Sequence, residues 1–276
     1  MTVRQMSLAE LELIIGWAAD EGWNPGLEDA SAFYAVDPDG FFLKEVDGQA
    51  VAAVSVVNHS DDFAFLGLYL CRPEFRRRGH GLEVWRAGAA RAGNRCIGLD
   101  GVPDQQANYV RSGFSRQGRT IRYRGMVERR PETVTRPASD RDLNAIYAQD
   151  TEANGVCRKA FSAAWFQRTK TRQTLLLGPD SATSAFATYR VCREGVKIGP
   201  LHAGASDQAN ALLASVPEPF GGGPIMIDVP ESEVILVQLL EEMGFDSILE
   251  TARMYSTSPS CGSYPPYFSI ASMELG

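Results

Sequence analysis

The chain has 276 residues, 44% hydrophobic and 22% charged, which suits two soluble domains with ordinary cores. A formal net charge of −7 argues against a general nucleic-acid surface, and no apolar run approaches the roughly 18–20 residues that cross a bilayer. Five scattered cysteines (Cys71, Cys96, Cys157, Cys192, Cys261) without a Cys-x-x-Cys pair, and three separated histidines, suggest neither a disulfide scaffold nor a metal site. With no signal-peptide core after Met1, the expectation is a cytoplasmic protein without metal.

In chain order, Ser7 is placed to cap a helix running to about Asp20. Glu21 to Gly26, including Trp23 and Asn24, joins it to a second helix. Phe41–Val46 and Gln49–Asn58 flank Asp47-Gly48, a two-residue hairpin signal. After Asp61 and Asp62, an apolar strand from Phe65 to Leu70 leads through Cys71-Arg72-Pro73 into Arg76-Arg77-Arg78-Gly79-His80-Gly81. A helix opens directly, from Leu82 to Ala92. That arrangement is an anion cradle: helix-opening amides have no intrahelical acceptor, the helix dipole adds positive potential, and two glycines allow close approach to the backbone. A strand (Cys96–Leu99), a helix near Gln105–Ser112 carrying Asn108 and Tyr109, and a strand (Ile121–Val127) follow.

A polar linker at 129–134 separates a first half, 1–128, from a second, 135–276. The second half echoes the first. Val3-Arg4-x-x-Ser7-x-x-x-Leu11 recurs as Thr135-Arg136-x-x-Ser139-x-x-x-Leu143. Leu99-Asp100-Gly101-Val102-Pro103 with Gly113-Phe114 recurs as Ile227-Asp228-Val229-Pro230 with Gly244-Phe245. Three matches in order point to duplication. The strand Val196–Leu201 is followed by His202-Ala203-Gly204-Ala205-Ser206, which lacks the arginines and the paired glycines. Gly221-Gly222-Gly223-Pro224 reads as a turn, without the Lys-Ser/Thr of a phosphate-binding loop. Ser256–Pro266 reads as a flexible loop. Tyr267–Leu275 reads as a closing strand that completes the second domain or packs back on the first.

Arg76 to Gly81 fits Arg/Gln-x-x-Gly-x-Gly/Ala, and Tyr109-Val110-Arg111-Ser112-Gly113-Phe114 fits Tyr-x-x-x-Gly-Phe. On these motifs the chain resembles the GNAT family (Gcn5-related N-acetyltransferases), and as a whole it resembles tandem-GNAT proteins with a diverged second domain. The resemblance implies an α/β fold of two tandem domains, each a mixed sheet flanked by helices. It implies acetyl-CoA as cosubstrate, held by Tyr69, Leu70, Cys71, Arg76, Arg77, Arg78, Gly79, His80, Gly81 and Leu82, with Asn108 or Gln105 on the pantetheine. Tyr109 would protonate the departing thiolate. Asp100 stands where some members carry a general base, and equally where an aspartate closes a strand into a turn; Asp228 repeats it. Many members place an Asn where this chain has Val102, and Leu240 stands where Tyr109 would recur.

Trp23, Asn24, Asp61 and Asp62 are the candidate acceptor wall. Trp23 is suited to stacking on a cation and equally to core packing. The implied reaction is N-acetylation of a small-molecule amine by direct attack, with a backbone amide of Tyr69–Cys71 polarising the thioester carbonyl. A non-catalytic acyl-CoA sensor is the alternative. The second half would shape the acceptor cleft, or else stabilise the first half and mediate a homodimer. Nothing in the sequence selects the amine.

Overall fold

The computed structural model of the protein describes residues 2–128, 134–178, 185–259 and 262–276. Most of the expected linker, 129–133, lies outside the described residues, as does Cys261.

The first half runs β1 (Thr2–Gln5), α1 (Leu8–Asp20), α2 (Asp29–Val36), β2 (Phe41–Val46), β3 (Gln49–Asn58), β4 (Phe63–Cys71), α3 (His80–Ala92), β5 (Cys96–Gly101), α4 (Pro103–Arg111) and β6 (Ser115–Gly125). Ser7 caps α1 in a capping box: its amide donates to Glu10 Oε2 at 2.8 Å and its hydroxyl accepts from the Glu10 amide at 3.4 Å. Arg4 clamps the same carboxylate and, with the Ser7 amide, holds it down at about 2. The hairpin at Asp47-Gly48 forms with the expected bounds. Elsewhere the sequence cut elements short: α3 starts at His80, α4 at Pro103 and β6 at Ser115.

The second half repeats this order with β7 (Thr135–Pro137), α5 (Leu143–Asn154), α6 (Lys159–Trp165), β8 (Arg172–Leu177), β9 (Phe186–Val191), β10 (Val196–Ala203), α7 (Ser206–Leu213), β11 (Ile225–Pro230), α8 (Val234–Glu242), β12 (Asp246–Tyr255) and β13 (Tyr267–Ser269). The Arg4–Glu10 clamp recurs as Arg136–Asp142.

All thirteen strands join one mixed sheet, in the order β1-β2-β3-β4-β5-β12-β6-β11-β10-β9-β8-β7, with β13 on β10. The halves exchange their long late strands. β12 pairs with β5, and β6 pairs with β11. The exchanged strands pair with each other about Thr120 opposite Thr251. Neighbouring residues along each strand face opposite sides, and both sides are apolar, as in a sheet covered on two faces. On one face a single core joins the halves, with Leu11, Ile14 and Phe33 of α1 and α2 packed with Phe161 and Trp165 of α6. On the other face α3 and α4 cover the first half through Val84 and Tyr109, while α7 and α8 cover the second through Leu212, Leu236 and Leu240.

The closing strand expected at Tyr267–Leu275 is shorter. Only Tyr267–Ser269 forms a strand, antiparallel to β10, and the rest crosses to the first half. Ile270 donates to the Asp228 carbonyl at 3.0 Å, Arg190 donates to the Ala271 carbonyl at 3.0 Å, and His59 Nε2 meets the Leu275 carbonyl at 2.8 Å. Every residue from Tyr267 to Gly276 is buried. Alternation of apolar residues suggested a strand, but the demand for backbone hydrogen bonds is met here by both halves in turn.

Candidate active site

β4 and β5 run parallel from Phe63–Cys96 to Leu66–Leu99 and then separate. The divergence has a local cause. The β3–β4 register slips between Ala53–Leu70 and Ser55–Gly67, and Leu68 takes a left-handed φ of 44°, rare for a residue with a branched side chain. Beyond the slip lies a cavity of about 50 Å³, partly open to solvent. Gly67, Tyr69, Asp100 and Tyr109 line it from the first half. Trp23, Arg122, Leu249, Thr251, Met273 and Glu274 also line it.

Tyr109 is 6% exposed, on the last turn of α4, its ring stacked on Trp85 at 5.5 Å and tilted to Tyr69 at 6.5 Å. Gly101 makes room for it, since a Cβ there would come within 2.8 Å of the ring. Burial, with Tyr69 beside it, pushes the phenol well above its ordinary value, so it remains a proton donor at neutral pH.

The Arg76–Gly81 loop does not line this cavity, but its Gly81 end lies against Tyr69, which does. Gly79 is the α3 N-cap, at φ 86° with no side-chain cap, and a Cβ there would meet nothing within 4 Å. At Gly81 a Cβ would sit 2.7 Å from the Tyr69 hydroxyl. Uncapped amides at the opening of a 13-residue helix, beside a space kept clear of side chains, fit a diphosphate. Arg76 is turned back to Glu21 and to the Cys71 carbonyl, 2.9 Å from its Nε, so it braces the loop against α1. Arg77 and Arg78 make no ion pair among the described residues; Arg78 lies over the Phe75 ring. His80 has a buried Nδ1 without a hydrogen-bond partner, Leu82 is half exposed, and burial pushes the Cys71 thiol up. Leu70 is buried between the sheet and α1.

Asp100 also lines the cavity, but its side chain is fully buried and both oxygens are taken. Arg253 Nε lies 2.9 Å from Oδ1 and Nη2 2.7 Å from Oδ2, and Thr120 donates to Oδ1 at 3.2 Å. The second half repeats the pair: Arg122 Nε donates to Asp228 Oδ1 at 2.6 Å and Nη2 to Oδ2 at 2.9 Å. Each pair is directly cross-strand and joins one half's own strand to the strand received from the other. Burial pushes the Asp100 carboxyl up against the pull of Arg253. For Asp228 the same burial is outweighed by Arg122, with Lys197 and Arg190 nearby, and its carboxyl is held down.

The acceptor-wall residues separate. Trp23 lines the cavity, and its carbonyl accepts from Arg122 Nη1 at 2.6 Å and Lys197 Nζ at 3.1 Å. Asn24, at φ 46°, instead binds the second half: its amide donates to the Glu194 carbonyl at 2.8 Å and its oxygen accepts from the Glu194 amide at 3.2 Å. Asp61 and Asp62 sit in the β3–β4 turn, about seven residues and so roughly 20 Å along β4 from Tyr69. Asp61 meets Arg95 at 4.0 Å and Asp62 accepts from Ser60 at 2.5 Å; neither lines the cavity. Asn108 is exposed, bonded to Gln105 and Arg111, and does not line it either. Helix periodicity put Asn108 beside Tyr109 in sequence, and for that reason it faces away.

Comparison with known proteins identifies the family. Residues 8–114 match the family described as Acetyltransferase (GNAT) family, and residues 146–263 the one described as Acetyltransferase (GNAT) domain. A holothin acyltransferase of Pseudoalteromonas sp. (strain SANK 73390) is 32% identical over 282 residues, covering 100% of this chain and 94% of that protein. The chain belongs to the GNAT family. Its two GNAT domains are in tandem, and among solved folds a candidate acetyltransferase from Pyrococcus horikoshii is similar throughout (TM-score 0.81, 21% identity, 100% of this chain and 95% of the other). A tandem GNAT protein from the clavulanic acid biosynthesis pathway shares the fold at a TM-score of 0.64 and 13% identity, covering 95% and 99%.

Among the lining residues that no motif marks are Arg122 of the first half and Leu249, Thr251, Met273 and Glu274 of the second. The matched Thr120 was the one available signal for Thr251, and no motif marks Glu274.

Among the described residues, no helix is long and apolar enough to cross a membrane, and no group of three or more His, Cys, Asp or Glu is placed to hold a metal.

Proposed function

We propose that this GNAT protein is an acetyl-CoA-dependent N-acetyltransferase acting on a small primary amine, with one working site at the β4–β5 separation. The observation that carries the reading is the convergence of Tyr109 and the β4 edge on one cavity, with Tyr69 standing between that cavity and the Gly81 end of the loop. Acetyl-CoA would supply the activated acetyl group. The α3 amides, with Arg77 and Arg78, hold its diphosphate. The β4 amides near Tyr69 polarise the carbonyl, and Tyr109 returns a proton to the sulfur as the amine displaces it. Asp100, saturated by Arg253 and Thr120, holds β12 in the first half's sheet.

Holothin, the compound in the relative's name, is the first acceptor to try, followed by a panel of primary amines. Calorimetric titration with acetyl-CoA should give about one equivalent. If turnover is absent with every amine despite tight acetyl-CoA binding, the protein is a sensor; if acetyl-CoA does not bind, both readings fall.

A further inference from the structure

Thr251 is 3% exposed and lines the cavity, yet its hydroxyl has no hydrogen-bond partner among the described residues. Its pseudo-symmetric counterpart Thr120 spends its hydroxyl on Asp100. A buried hydroxyl left unpaired costs free energy unless something polar meets it. Glu274, 3% exposed, lines the same cavity, and its one side-chain hydrogen bond among the described residues comes from Ser272 at 2.6 Å.

The other charges there are engaged. Arg253 is paired with Asp100 and Arg122 with Asp228, while Lys197 donates to the Trp23 carbonyl. Arg122 and Lys197 both feel the Glu274 charge, but no ion pair is formed with it among the described residues. Glu274 is held rigidly from behind. The Ser272 hydroxyl accepts from the Glu274 amide at 3.0 Å and the Leu275 amide at 3.2 Å, and the Glu274 carbonyl crosses Gly67 so closely that a Cβ there would lie 2.0 Å from it. Such fixing is what a positioned proton acceptor requires.

We propose that Glu274 and Thr251 form the acceptor subsite: Glu274 receives the substrate's ammonium group and takes its proton, and Thr251 accepts a hydrogen bond from the same nitrogen. The ligand class is a primary ammonium on a small apolar body, which Trp23, Leu249 and Met273 would flank. This rests on the N-acyltransferase reading. The ammonium gives one proton to Glu274, which later releases it to solvent. The nitrogen lone pair forms the C–N bond, the C–S bond breaks, and its electrons leave on sulfur. Sulfur takes the Tyr109 proton, and the second amine proton restores Tyr109.

The probe is benzylammonium chloride, titrated into wild type, Glu274→Gln, Glu274→Asp and Thr251→Val, each with and without saturating CoA thiol so that no turnover occurs. Gln keeps the Ser272 contact and the side-chain shape. Wild type should bind one equivalent. Glu274→Gln should weaken the probe on the order of tenfold or more, Asp should partly rescue it, and Val should weaken it several-fold. Melting temperature and acetyl-CoA affinity should hold in all four. Equal probe binding in wild type and Glu274→Gln, or no probe binding to wild type, overturns the subsite. Loss of acetyl-CoA binding in wild type fails the N-acyltransferase reading separately, because the CoA-free titration still reports on Glu274.

Discussion

In the first half β4 and β5 part after Leu66 and Leu99 and leave a cavity; in the second, β10 and β11 part after Ile198 and Ile227. The strand pairing is alike. Both lead strands slip register at the separation, next to Gly67 in one and Gly199 in the other. Both following helices close alike, Phe114 donating to the Tyr109 carbonyl at 3.0 Å and Phe245 to that of Leu240 at 2.9 Å. The contents differ. In the second gap β13 pairs with β10, and Ile270 and Ala271 press so close to Gly199 that a Cβ there would lie within 2.7 Å of either carbonyl oxygen. Gln208 also reaches back to the Gly204 amide at 3.0 Å, at the opening of α7. Duplication thus yields two clefts, and the chain's last segment fills one and furnishes the wall of the other.

The largest expected effect tests which cleft takes acetyl-CoA. Gly79→Glu puts a carboxylate where the diphosphate would lie and a side chain at φ 86°. Its acetyl-CoA affinity should fall on the order of a hundredfold or more. Gly204→Glu, one residue before the α7 N-cap Ala205 in the second half, should leave calorimetric binding unchanged. Equal losses would mean that both clefts bind.

Next come the reciprocal ion pairs. Arg122 is 1% exposed in its side chain, Arg253 15%. Asp228→Asn strands a cation whose side chain is almost wholly buried and should cost about 3–5 kcal/mol, whereas Asp100→Asn should cost less because Arg253 lies nearer solvent. The pH dependences are opposite in sign. Asp228 is held below its unfolded value, so its stabilisation is complete above about pH 4 and is lost as pH falls toward the folded value. Asp100 is pushed up, so its contribution is present below about pH 4 and is lost as pH rises through its folded value. Urea midpoints from pH 3 to 7 for both variants check this; parallel curves would mean that the two pairs are equivalent.

Tyr109→Phe should lower kcat roughly tenfold to a thousandfold while acetyl-CoA affinity holds. Unchanged kcat removes Tyr109 from the chemistry and leaves it as the packing partner of Trp85.

What the sequence made legible was local. The Ser7 cap, the Asp47-Gly48 hairpin, the loop from Arg76 and the Tyr109 helix are set by neighbours within a few residues, and they recur in the structure. Asp100 and Asp228 were matched as repeats, but their partners Arg253 and Arg122 lie across exchanged strands, which no periodicity encodes. Trp23 reached the cavity, while Asn24, Asp61, Asp62 and Asn108 did not, because a loop's sequence states composition and not direction. Thr251 and Glu274 were invisible for a further reason: an apolar run ending in Met273-Glu274-Leu275 looks like a strand, and only the tertiary path over Gly199 and then Gly67 brings its carboxylate to β4.

The smallest expected effect is the sharpest test of why the second cleft is silent. Leu240 occupies the place of Tyr109 and is completely buried among Leu236, Phe245 and β11 side chains. If the missing phenol alone silenced the second half, Leu240→Tyr would move it toward function. Because β13 already lies between β10 and the Asp228 end of β11, the substitution should add no second acetyl-CoA equivalent and no turnover. It should cost only the roughly 1–3 kcal/mol of an overpacked core, read as a lowered urea midpoint. A second equivalent in Leu240→Tyr would show that the last segment leaves the β10–β11 gap readily, and the contrast between an open cleft and a filled one would then be a matter of population and not of architecture.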